Sequence, residues 1–274
     1  MVPWTHLVRF TAEEDGKPYY TSTTSTPPGV GEKVKSFEEI SALDGDLSFD
    51  DLESLTIKEL LPSVIPGLPI ICIGLNYANH AKEGGLEIPK NPLMWYKPPT
   101  SLAGPGPVPI PPAAQTNFLD YEGELTIITS RPAKDVSVAD AASYIRGYAI
   151  GNDLTARLFQ VGQFSYAKGF DAFAPVGSVL ANPAALGSLK EKQLTTRVNG
   201  QVVQDSPVDL IWGPEELVSF LSQGRTLPAG TAIMTGTPEG VGWFQKPQAP
   251  LKDGDVVEVS IDGLGTLRNT MVFE

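Results

Sequence analysis

The sequence predicts a mixed α/β, β-rich fold with a small N-terminal unit ahead of a larger one, and three observations carry that prediction. The 25 prolines and 27 glycines among 274 residues cut the chain into short elements joined by turns. Its apolar runs are brief and strand-like, as in Ile70–Ile73, and helical patterns are few. At 41% hydrophobic the chain can bury a sizeable core, which excludes a disordered protein.

In chain order, HLVRF and PYYTS read as strands and Thr21–Gly31 as a cluster of turn residues. An acidic stretch follows from Phe37 to Glu59, and Ser48–Leu61 is expected to be partly helical. Leu61, Pro62, Pro66 and Pro69 make a connection, so the expected division is 1–67 for the small unit and 68–274 for the large one.

The formal charge of −12, from 32 acidic and 20 basic residues, argues against nucleic acid or an anionic membrane surface as partner. MVPWTHLVRF lacks the layout of a secretory leader, and no apolar stretch reaches the ~18 residues that span a bilayer. A single cysteine, Cys72, excludes an intrachain disulfide and is expected in the core. A cytoplasmic protein is the expectation.

In the larger unit, Ile70–Ile73 stops at Gly74 and a polar, potentially helical stretch follows, with His80 and Glu83 three residues apart. On a helix these are neighbours, so the carboxylate can fix the imidazole tautomer and raise its basicity; the pair reads either as a general base or as an incidental surface pair. The proline-heavy passage Asn91–Pro112 is read as an extended pocket wall, with Leu93, Met94, Trp95 and Tyr96 buried.

In FLDYEGELTII, from Phe118 to Ile128, strand alternation puts Leu125 and Ile127 on one face and Glu122, Glu124 and Thr126 on the other. Two like charges so close repel unless a proton, a basic side chain or a divalent cation intervenes, and hard oxygen donors suit Mg²⁺, Mn²⁺ or Ca²⁺. A solvated outer face is the alternative reading.

Ala139–Tyr144 reads as a short helix and Gly147–Gly151 as a strand that delivers Asp153, either a third oxygen ligand or a helix N-cap. If the following residues are helical, Arg157 and Gln160 share its face. Lys168, before a Gly-Phe-Asp turn, is a candidate for an anionic substrate group or a solvated lysine. Residues 194–205 form a hairpin around Asn199-Gly200, and Pro214–Gln223 is an amphipathic helix. After another buried strand, Thr235, Gly236, Thr237 and Gly240 offer amides and hydroxyls to a carboxylate.

Six segments in this order, GLNYANHAKE, KPPTSLAGPG, LDYEGEL, GNDLTAR, KGFDAFAPVG and TGTPEGVG, resemble the fumarylacetoacetate hydrolase superfamily over about Ile70–Phe273. The resemblance implies a rolled β-sheet domain behind a small N-terminal domain, and a homodimer. It implies Mg²⁺ or Mn²⁺ held by Glu122, Glu124 and Asp153, and a His80–Glu83 dyad on a lid. Catalytic His80, Glu83, Lys168 and Gln160, with Arg157, Thr237 and Lys168 binding substrate, follow from the acylpyruvase and oxaloacetate decarboxylase branch. The expected chemistry is C–C cleavage next to a 2-oxo acid, by hydrolysis or decarboxylation; isomerase, dehydratase or tailoring chemistry on another keto or enol compound is the alternative.

Overall fold

A computed structural model describes residues 4–23, 27–44, 48 and 51–274, and most of the strands among them build two sheets. The larger has ten strands, and Gly123–Thr129 lies near its middle, between Ile145–Asn152 and Ala232–Met234. Beyond Ala232–Met234 come Ile70–Gly74, added in parallel, and Leu93–Lys97. The second sheet has five strands and centres on Val256–Ile261.

The second sheet covers one face of the first. Leu125 and Ile127, both 0% exposed, join Val257, Val259 and Leu267 in the main core, and each such side chain contributes about 1.5–3 kcal/mol on burial. The opposite face of Gly123–Thr129 is buried as well, so its polar residues are not a solvated edge. Glu124 and Thr126 are both 0% exposed.

Four strands, His6–Ala12, Pro18–Thr23, Lys33–Lys35 and Ser54–Leu60, come from the N-terminal residues and carry their own core of Phe10, Ala12, Leu55 and Ile57. They meet the rest through His6–Val8, which pair with Val179–Ala181 in the large sheet.

The helical expectation for Ser48–Leu61 is corrected: Ser54–Leu60 is a strand, with Leu55 and Ile57 inward and Lys58 outward. Its period is two, and the acidic residues around it masked that alternation. Residues 49 and 50 of that segment lie outside the described residues, as do 24–26 of the turn cluster and 1–3 of the N-terminus. The passage from Leu93 is a strand through Lys97, and Tyr96 is 41% exposed rather than buried, because alternate residues of this sheet edge face out. The expected helices at 139–144 and 214–223 are found at Val138–Tyr144 and Pro214–Ser222. The hairpin turns at Asn199 and Gly200 with φ of 52° and 82°. No helix among the described residues is long and apolar enough to cross a membrane.

Candidate active site

Strand Ile70–Gly74 ends at the site, and Leu75, at φ 52°, turns the chain into helix Ala78–Glu83. Left-handed backbone at a leucine costs ~1 kcal/mol or more and persists only where its surroundings enforce it. Asn76, fully buried, enforces it here: its amide donates to the carbonyls of Trp212 and Thr235 and accepts from the Trp212 N–H. On the helix, His80 Nδ1 lies 3.3 Å from Glu83 Oε2. Gly240 N–H also donates to Glu83, at 3.0 Å. With Nδ1–H facing the carboxylate, Nε2 is left as the basic nitrogen.

Glu122, Glu124 and Asp153 come together, each offering an oxygen within 4.8 Å of the others, all three buried. Glu122 stands just before strand Gly123–Thr129, Glu124 within it, and Asp153 just after the neighbouring strand Ile145–Asn152. The helical alternative for Asp153 is corrected: Thr155–Ala156 is extended and Arg157–Phe159 a single 3-10 turn. Arg157 reaches the site because its backbone N–H bonds the Phe118 carbonyl.

The cations around these carboxylates are unevenly shared. Lys168 Nζ donates to Glu122 at 2.8 Å, Asp153 at 2.9 Å and the Thr155 hydroxyl at 2.9 Å. It therefore spends its three protons within the protein. Arg157 gives Nε to Asp120 at 2.8 Å and Nη1 to Glu122 at 2.7 Å and Gln160 at 3.2 Å, while Nη2 is buried without a partner. Burial opposes the charges of Lys168 and Arg157, but their carboxylate partners outweigh it and hold both protonated. Burial likewise pushes the Glu122 carboxyl up, yet Lys168 and Arg157 hold its pKa at about 2.

Glu124 is different. Among the described residues only the Gly236 N–H, at 2.8 Å, reaches its Oε2, and its Oε1 is buried with no partner. Burial, then the charges of Asp153 and Glu122, push its carboxyl well above the usual range. With every group ionised, Asp120, Glu122, Glu124 and Asp153 outnumber Lys97, Arg157 and Lys168 by one charge. Three hard oxygens, one orphaned, and an uncompensated charge fit a divalent ion beside Glu124.

Three residues of this constellation, Lys97, Asn76 and Gln204, were not singled out as site residues from the sequence. A fourth, Asp120, falls on the glutamates' strand face in the sequence, which leaves its role open between coordinating, ordering a water and tuning charge. Lys97, 0% exposed, has Nζ 2.5 Å from Asp153 Oδ1, while its protons are directed at the Leu154 and Phe173 carbonyls. A lysine closing the apolar strand Leu93–Lys97 was the available signal. Asp120 shares the segment with the glutamates but takes no part in their cluster; it accepts from the amides of Tyr121, Gly242 and Trp243 and holds Arg157. Gln204 accepts from Gly123 N–H and donates to Thr237. Asn76 and Gln204 left no mark in the sequence.

Thr237 passes its own proton to the Gly123 carbonyl at 2.9 Å. The Gly-rich loop does grip carboxylates, but they are the protein's own: Glu124, Glu83 and Asp120. His80, Glu122, Arg157, Gln160, Lys168 and Thr237 all line one cavity of about 320 Å³, within the range of small-molecule sites. Glu124 and Asp153 sit behind that wall.

The family model described as fumarylacetoacetate (FAA) hydrolase C-terminal matches residues 69–272. The caffeoylpyruvate hydrolase of Neonothopanus nambi is 38% identical over 294 residues, covering 99% of this chain and 94% of that protein. Oxaloacetate tautomerase YisK of Bacillus subtilis is 39% identical over 218 residues, 78% of this chain and 72% of its own. Among solved structures, 5-carboxymethyl-2-hydroxymuconate delta-isomerase from Mycobacterium smegmatis aligns at a TM-score of 0.81 and 35% identity, covering 98% of this chain and 100% of that one.

Proposed function

The chain belongs to the fumarylacetoacetate hydrolase family, and from that premise we propose that it hydrolyses the C–C bond of an acylpyruvate with Mg²⁺ or Mn²⁺ as cofactor. One observation carries this reading: His80, held by Glu83, and Glu122 line one cavity, and Glu124 and Asp153 lie behind Glu122 with carboxylate oxygens of all three within 4.8 Å of one another. A base without the acidic cluster, or the cluster without a base, would support it less.

Glu122, Glu124 and Asp153 hold the ion, which supplies Lewis acidity towards the 2-oxo acid end of the substrate. The partnerless Arg157 Nη2 is the donor available for the substrate carboxylate. His80 Nε2 takes a proton from water, which adds to the C4 carbonyl. The C3–C4 bond then breaks, its electron pair passes to C3, and the proton returns there to give pyruvate; the acyl carbon leaves as a carboxylic acid. Glu83, pinned by Gly240 N–H, keeps the imidazole oriented and stabilises its charge.

Decarboxylation of oxaloacetate needs no water attack, and tautomerisation, the activity in the name of the Bacillus subtilis relative, needs only a proton moved at C3. The test is His80→Ala assayed on acetylpyruvate and on oxaloacetate. Hydrolysis is expected to fall at least 100-fold, the scale of a lost general base, and decarboxylation much less. Equal losses would remove His80 from water activation.

A further inference from the structure

We propose that the acyl half of the substrate is a neutral, bulky group, best an aromatic ring, and that a second carboxylate there is rejected. This rests on the reading above only in placing the 2-oxo acid end at Arg157 and the glutamates. The cavity has two unlike kinds of lining. His80, Glu122, Arg157 and Lys168, with Gln160 and Thr237, make one; the other is apolar, from Leu86, Trp95, Val161, Phe164, Trp243 and Phe244 among others.

In the apolar lining Trp95 and Phe164 stack with ring centroids 5.1 Å apart and planes 19° from parallel. Lys168 Nζ lies over the Trp95 ring at 4.9 Å, so the aromatic wall begins beside the charged groups. Phe244 stands against His80, centroids 5.9 Å apart and planes at 63°. Trp243 adds a further indole. Flat aromatic walls favour a flat apolar guest over a chain of water-seeking groups. Leu86 and Val161, 52% and 88% exposed, line the same cavity; a ligand's apolar end covers them from water.

A distal carboxylate finds no counter-charge there. Among the described lining residues the lysine and the arginine are Lys168 and Arg157, and both are already bound to carboxylates. The donor left over on Arg157, Nη2, is the one taken by the 2-oxo acid carboxylate in the reading above. A second carboxylate would give up part of its hydration to an apolar wall and gain no counter-charge for it, which is unfavourable. Its neutral counterpart loses nothing on entry.

The test separates binding from turnover by using 2-oxo acids that lack a C4 carbonyl and so cannot be hydrolysed. The full chain loaded with Mg²⁺ is titrated calorimetrically with 2-oxo-4-phenylbutanoate, 2-oxopentanoate and 2-oxoglutarate. The phenyl compound is expected to bind at least tenfold tighter than either of the others. Leu86→Lys, a surface change, is expected to strengthen 2-oxoglutarate binding at least threefold and weaken that of the phenyl compound. Equal or tighter binding of 2-oxoglutarate to the unaltered protein overturns the inference, as does a phenyl compound no tighter than 2-oxopentanoate. The ranking is independent of whether an acylpyruvate is cleaved, so the two readings fail separately.

Discussion

Glu124 is where the site's charge does not balance, and it yields the most specific predictions at the scale of single residues. Its folded pKa is raised, so the metal-free protein gains from it below the unfolded value of 4.5 and loses that gain as pH rises through the folded value. Glu124→Gln removes that penalty. In chelator at pH 8 the variant is expected to melt about 2–4 °C above the parent, the change that ~1 kcal/mol produces at this size. At pH 4 the two should melt together, and the Mg²⁺-induced rise in Tm should vanish in the variant. A variant that melts lower at pH 8, or keeps the Mg²⁺ shift, would remove Glu124 from the metal site. Glu122 has the opposite sign: with its pKa held at about 2, its contribution is full above 4.5 and lost as pH falls towards 2. Lys97→Met strips one of two cations from a buried Asp153 and is expected to cost about 3 kcal/mol in urea unfolding. The glutamate pair was legible in the sequence because strand alternation is local. Lys97 was not, since a lysine 56 positions before Asp153 meets it only through the fold; Asp120 was visible beside the pair but its role was not, because the arginine it holds lies 37 positions on.

Among the elements, the loop after strand Ala232–Met234 ties the site together. Its amides hold Glu124, Glu83 and Asp120, so one segment sets a proposed metal ligand, the partner of the proposed base and the partner of Arg157. Gly240 is at φ +100°, and a Cβ there would lie 2.1 Å from the Val203 carbonyl oxygen. Gly240→Ala must therefore move backbone and release Glu83. It is expected to lower kcat for acylpyruvate hydrolysis at least tenfold while retaining Mg²⁺ binding, because Glu124 is held by Gly236 instead. Unchanged kcat would show that the Gly240 contact does not orient the base. The glycine-rich composition of this loop was visible from the start. Its ligands were not, because the sequence offered amides for a carboxylate without saying whose.

Across the whole molecule, the two sheets enclose a core, and the metal-suited cluster lies buried behind a cavity that it reaches through Glu122. The β-rich character, the central strand, the hairpin and the Pro214–Ser222 helix could all be read from short-range patterns. The strand Ser54–Leu60 could not, because the acidic residues Asp50, Asp51 and Glu53 just before it and Glu59 within it make the segment resemble a solvated helix. Cys72, 0% exposed on strand Ile70–Gly74, sits in the core as expected. The central claim joins the acidic cluster to the base in a single reaction, and its most direct test is pyruvate release from acetylpyruvate by metal-stripped protein. The account predicts no pyruvate in chelator and turnover restored by Mg²⁺ or Mn²⁺. Pyruvate formed at the same rate without metal, or none after reloading, would contradict it.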